Sequence, residues 1–321
     1  MSTPSVQPRV LTTNPRLSDR IFRAVVTAGG FTSLVVLGLI AVFLYVKSRD
    51  VFSTFGFGFI TSADWLPDDG TAMSTGHYGI GAMLVGTMLT SVIALIIGVP
   101  VAVGLALFLT QYAPKSLSKP LTLVVDLMAS IPSIVYGLWG FFVLMPHAVY
   151  WAKLLHKYLG WIPLFDVPAP IFDRSPFVAG VVLAVMIIPI VTAISREVFS
   201  QAPRDRIEAA YALGATKWAA IRAVVIPHGR PGVIGGAMLG LGRAMGETIA
   251  VYMVLNLIYS VNWHILASAG GSVASMIVNK FGEATAFEVQ GLMAAGLVLF
   301  LLTLIVNYLA GLVVRFSGKG A

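Results

Sequence analysis

The chain is 321 residues long, 57% hydrophobic and only 11% charged, with a mean hydropathy of +0.88. A soluble domain would carry roughly 25% charged residues, so these values exclude an ordinary soluble globule and define an all-α, polytopic integral membrane protein. Cysteine is absent, which removes disulfides and thiolate chemistry, and the net charge of +7 fits either nucleic acid or the anchoring of loops on one membrane face.

In chain order, residues 1–21 are polar, carry Pro4, Pro8 and Pro15 and show no periodicity, which predicts a mobile tail. The first apolar run, 22–46, is long enough for a span of about 20 residues, and with no small-residue cleavage site after it the run reads as an uncleaved anchor. Residues 47–79, rich in Phe, Gly and Asp, are expected to form a partly ordered loop. The second run, 80–110, contains Gly81, Gly86, Gly98 and Gly104, small positions that let helices approach closely in lipid, and Pro100, which should kink it. Lys115 and Lys119 flank a short turn. The third run, 121–145, holds Asp126, with Pro132 and Gly137 placed to bend or break it. Asp126 reads as a packing or capping residue near the membrane interface. A second loop, 146–175, contains Trp151, Trp161 and four prolines. Runs at 177–194, 232–259 and 289–314 complete about six spans. A stretch at 265–278, interrupted by Gly270 and Gly271, reads as a loop or re-entrant piece, and 316–321 is a short tail.

Between the fourth and fifth runs lies a polar, basic insert within 196–230. Pro203 suits the first turn of a helix, and Ile207, Ala210 and Tyr211 fall on one face of it. Gly214 supplies the left-handed position that stops this helix, Thr216 caps a second one carrying Trp218, Ile221 and Val225, and Pro227 closes that one. The result is a helix, a glycine turn and a helix, with a flat surface of Ala209, Ala210 and Ala212. Read alone, the pattern also describes a DNA-binding helix-turn-helix. Charge distribution decides between them. The side of the membrane that would hold both termini and this insert carries 14 Lys and Arg, against six on the other side (Lys47, Arg49, Lys153, Lys157, Arg174 and Lys280). By the positive-inside rule the termini and insert are cytoplasmic, the excess charge is topological, and no nucleic-acid partner is implied.

The insert resembles a known signature. Glu208, Ala209 and Ala210, three residues, Gly214, nine residues, then Val224 to Pro227 match the EAA loop of permease subunits in binding-protein-dependent ABC importers, with Val224 and Ile226 as conservative replacements. Residues 86–114, 131–142 and 238–248 (MLGLGRAMGET) are similar to the permeases of phosphate-specific transport systems, and to the PstC kind more than the PstA kind. The similarity spans roughly 75–315. It implies a type I ABC importer permease fold, a core of five spans at 75–315, and docking of an ATPase at Glu208, Ala209, Ala210, Gly214 and Pro227. It also implies a homologous second permease, two ATP-binding subunits and an external phosphate-binding protein as partners, in the lipid bilayer of the cell membrane.

In the fifth run, Arg243 and Glu247 are four residues apart, which would set them on one helical face. An Arg at mid-bilayer costs at least about 2.5–3.5 kcal/mol and so should not face lipid. Its planar fork suits an oxyanion, and Glu247 could hold that fork in place. The resemblance implies a part for both in phosphate translocation; alternatively the pair locks the fifth helix to a neighbour. The five histidines show no metal-site spacing. No GxxxxG followed by Lys-Ser or Lys-Thr occurs, so ATP hydrolysis is expected on a partner and no cofactor is implied. Two other readings stay open: a permease for another oxyanion or solute, and an ion-coupled secondary transporter, which would be expected to show internal repeats and more buried carboxylates. A second role in reporting phosphate to a signalling partner is also compatible with the sequence.

Overall fold

The computed structural model describes residues 17–317, so most of the expected N-terminal tail lies outside the described residues, as does the chain after 317. Helix α1, Leu17–Phe55, extends the first apolar run at both ends and is exposed along most of its length, packing chiefly on the last helix, while Val51, Phe52 and Phe55 at its C-terminal end join the cluster around Phe59 and Tyr78. A short helix α2 (Gly58–Thr61) leads to strands β1 (Trp65–Leu66) and β2 (His77–Tyr78), antiparallel with Trp65 opposite Tyr78. The expected loop 47–79 is thus largely ordered.

Helix α3 (Gly81–Leu107) continues through a π turn at Phe108–Tyr112. The third apolar run is two elements where one was expected. Helix α4 (Lys115–Ser130) ends at Ile131, whose ψ of 130° is the extended geometry forced on a residue that precedes proline. Pro132 then starts α5 (Ser133–Trp139), which runs through a π turn at Gly140–Leu144 into α6 (Met145–Leu159). The crossing helix is therefore 133–159, and half of the expected loop 146–175 is helical. The Tyr136 hydroxyl donates to the Met128 carbonyl at 2.8 Å and ties the two pieces across the break. Asp126, on α4, pairs with Arg196 at 3.6 Å; with side chains 48% and 25% exposed this is a packing contact worth about 0–1 kcal/mol.

Helix α7 (Pro176–Ser200) is the centre of the molecule, with Ser175 capping it and its middle buried. It runs parallel to α3, where Gly98 abuts Ile187 and Gly180 abuts Ile93. Helices α8 (Arg204–Ala212) and α9 (Lys217–Ala220) follow, then a π turn at Ile221–Val225 and α10 (Ile226–Gly246). Helix α10 packs antiparallel on α7 through Gly229, Gly232, Gly236 and Gly240, which face Phe199, Val198, Ile194 and Val191. Such small residues let helices meet closely where lipid provides no hydrophobic drive. Short α11 (Ile249–Val254), α12 (Val273–Phe281) and the final α13 (Ala286–Ser317) complete the fold. The stretch 265–278 thus enters α12 at its C-terminal part. Among the described residues five helices are long and apolar enough to cross a membrane, and the α10–α11 pair adds a broken sixth segment.

Candidate functional site

Two regions hold the residues singled out by sequence. The first is the α8–α9 knuckle. Pro203 is the N-cap of α8, one position outside the helix, and Leu213 is its C-cap. Gly214 then adopts φ 81°, its amide bonding to the Tyr211 carbonyl at 2.9 Å while Ala215 bonds to Ala210 at 3.0 Å, the paired closure of a Schellman motif. The Thr216 hydroxyl accepts from the Ala219 amide at 3.3 Å and caps α9. Pro227 does not close the second helix: it stands where the π turn at Ile221–Val225 passes into α10, and the helix continues to Gly246.

No residue of α8 is buried, and Glu208 and Ala209 lie exposed with Ala210 half-buried. Beside them Leu213, Trp218 and Tyr211 expose large apolar side chains. The knuckle is nonetheless held firmly. Ile207 packs on a cluster of Ala106, Leu107, Phe199, Ile221 and Val225, and the Lys217 ammonium stands 4.6 Å from the centre of the Tyr112 ring. A solvent-directed apolar face on a rigid mount is the form of a docking surface.

The second region surrounds the break between α10 and α11. Helix α10 ends at Gly246, and Glu247 is extended with ψ 126°, so Arg243 and Glu247 do not share a helical face as their spacing suggested. Glu247 is buried and its Oε1 accepts from the Ala250 amide at 3.3 Å, placing a negative charge at the start of α11. No ion pair joins it to Arg243 among the described residues. The four-residue spacing is a valid helical signal, and the chain defeats it by leaving the helix between the two residues.

Arg243 lies three residues beyond Gly240, which abuts Ile187 and Val191 near the middle of α7. It is exposed on this single chain and lines a cavity of about 620 Å³ between α7, α10 and α13, together with Gly235, Met238, Gly242 and Asn307. Asn307, the other polar side chain on that wall, escaped sequence reasoning; a side-chain amide deep in the last apolar run, far from Gln290 at its start, was the available signal. On the far side of the break a second cavity of about 440 Å³ opens between α5, α11 and α12, lined by Arg174, Tyr252, Asn256 and Asn279.

A bundle of membrane-length helices with an exposed knuckle at one end and two cavities lined by arginine has the form of a membrane permease subunit. The chain belongs to the family of binding-protein-dependent transport system inner membrane components, whose model matches residues 98–317. It is 42% identical over 295 residues to phosphate transport system permease protein PstC 2 of Mycobacterium tuberculosis, covering 91% of this chain and 90% of that one. To the phosphate transport system permease protein PstC of Mycobacterium leprae it is 43% identical over 299 residues, 92% of each chain. In fold it is similar to a chain from the crystal structure of a bacterial ABC transporter involved in the import of the acidic polysaccharide alginate, with a TM-score of 0.52 at 13% identity over 92% of this chain and 98% of that chain.

Proposed function

We propose that this chain is the permease subunit through which an ATP-driven importer moves inorganic phosphate across the cell membrane. Similarity to two PstC permeases over nine-tenths of the chain is the observation that carries the substrate assignment. On that reading the partners are a homologous PstA-like permease, two PstB-like ATP-binding subunits and an external PstS-like phosphate-binding protein. The charge asymmetry of the loops supports a cytoplasmic position for both termini and the knuckle, with Glu208, Ala209, Ala210, Gly214 and Pro227 as the surface that receives the ATPase.

Energy must be supplied. Moving a phosphate dianion inward against 100 mV, inside negative, costs roughly 4.6 kcal/mol before any gradient is counted. Arg243 supplies a guanidinium to the passing anion at mid-span, while Glu247 orders the break beside it by capping α11. The test is ATP-dependent uptake of radiolabelled phosphate into proteoliposomes containing the assembled complex and its binding protein. Arg243→Gln should lower uptake at least ~10-fold with assembly intact, as loss of a charge-assisted contact predicts. Uptake of sulfate or another solute in place of phosphate would reassign the substrate, and unimpaired Arg243→Gln would remove that residue from the pathway.

A further inference from the structure

Arg174 stands immediately before α7, at the end of the bundle opposite the knuckle, with φ 45° in the left-handed region. A non-glycine residue there is strained, so the surrounding structure must hold it. Two contacts do so: its guanidinium carbon lies 5.1 Å from the centre of the Phe141 ring, and its carbonyl accepts from the Asn256 amide at 3.4 Å. The guanidinium is half-buried, and no carboxylate pairs with it among the described residues.

The cavity it lines gives this charge a destination. Its other walls are apolar or neutral polar: Leu138 and Phe142 from the α5 side, Tyr252 and Asn256 at α11, and Asn279 on α12. At about 30 Å³ per water a volume of about 440 Å³ holds roughly fifteen waters, room for a small oxyanion with part of its hydration shell. Helix α11, whose first turn Glu247 caps, forms one wall. The break at Glu247 and Thr248 therefore separates two cavities, each with one lining guanidinium: Arg174 on the α12 side and Arg243 on the α13 side.

We infer that the Arg174 cavity is an outer anion site, which takes phosphate released at the external face and holds it above the helix break before it reaches Arg243. This rests on the phosphate reading given above. A forked cation with neutral amides around it suits a tetrahedral oxyanion, and Phe141 presets the fork without neutralising it. No carboxylate lines this cavity to repel the cargo; Asp173, next to Arg174 in the chain, is exposed and is not part of the lining.

The test uses the complete complex in proteoliposomes with saturating binding protein, comparing wild type, Arg174→Gln, Arg174→Lys and Asn279→Asp. Phosphate uptake, complex yield and the affinity of the complex for its binding protein are measured for each. Arg174→Gln should cut uptake at least ~10-fold and Arg174→Lys should retain about a third or more, since lysine keeps the charge and loses the fork. Asn279→Asp, which adds a carboxylate to the lining and leaves Arg174 itself unchanged, should also cut uptake ~10-fold by repelling the anion. Binding-protein affinity should stay within ~2-fold throughout. Wild-type uptake in both Arg174→Gln and Asn279→Asp overturns the outer site while leaving the phosphate reading in place. A fall in binding-protein affinity that parallels the fall in uptake also overturns it, assigning Arg174 to protein docking. Absence of phosphate uptake by the wild-type complex would instead sink the substrate reading itself.

Discussion

A backbone angle at one glycine sets the geometry of the surface on which the proposed coupling depends. Gly214 at φ 81° lets the Tyr211 and Ala210 carbonyls close the end of α8 and turns the chain toward α9. A side chain at that angle costs roughly 1–2 kcal/mol, more if β-branched. Gly214→Val should therefore lower the ratio of correctly to wrongly shaped knuckle by a factor of about 5–30. Phosphate uptake should fall accordingly while the spans, which Gly214 does not touch, keep their thermal stability. Uptake at the wild-type level would show that the turn is dispensable. Glu247 teaches a related lesson: its carboxylate serves the backbone of α11 in place of the neighbouring arginine.

Among the elements, the β1–β2 hairpin is fastened to the start of α13 by two polar clasps. The Trp65 indole donates to Glu288 at 2.8 Å, and the Thr285 hydroxyl donates to Asp68 at 2.7 Å while the Tyr78 hydroxyl donates to the same carboxylate. Burial by itself would raise the Asp68 carboxyl, but hydrogen bonds from Tyr78, Thr285 and the Gly70 amide hold it below the ordinary value of 3.8. Hydrogen bonds from Thr71 and Thr75 hold Asp69 at about 2. Burial, with the bond to Asp68, pushes the Tyr78 hydroxyl up and keeps it protonated as the donor. Both carboxylates are depressed on folding, so the stability they lend is complete above the ordinary carboxylate value and is lost as pH falls through the folded ones. Hydrogen-exchange protection of residues 64–79 should accordingly hold steady from neutral pH to about 4 and decline only as pH falls toward about 2. Release between pH 5 and 7 would mean that other groups hold the hairpin.

Across the whole molecule, helices α3, α7 and α10 form the scaffold, with the knuckle at one end and the hairpin and α12 at the other. The π turn at 221–225 joins α9 to α10 without a loop between, so a displacement of α9 would be carried directly into α10. Leu213 at 89% and Trp218 at 55% exposure are the most exposed large apolar side chains of the knuckle, and on the proposed function they would meet the ATPase. Buried Trp anchors dominate such interfaces. Replacing both with Ala should lower co-purification of the ATP-binding subunits at least ~10-fold, with the permease still inserted and folded. Full retention of those subunits would place docking elsewhere.

Membrane class, the positions of most apolar runs, the helix-glycine-helix insert and its cap residues are all visible in the sequence, because hydropathy, the φ of Gly214 and the hydroxyl of Thr216 act within a few residues. Where the runs break was less legible. Pro132 signalled one break, but only the structure places α4 outside the crossing helix and carries α6 on to Leu159. The pairing of Arg243 with Glu247 was misread because i, i+4 proximity holds only while the helix continues, and Glu247 leaves it to cap α11. Which residues share a cavity, Arg174 with Asn279 or Arg243 with Asn307, depends on helices far apart in the chain. Local chemistry writes caps, turns and spans into the order of residues; the meeting of distant helices is settled only when glycine faces such as those of α10 find their partners.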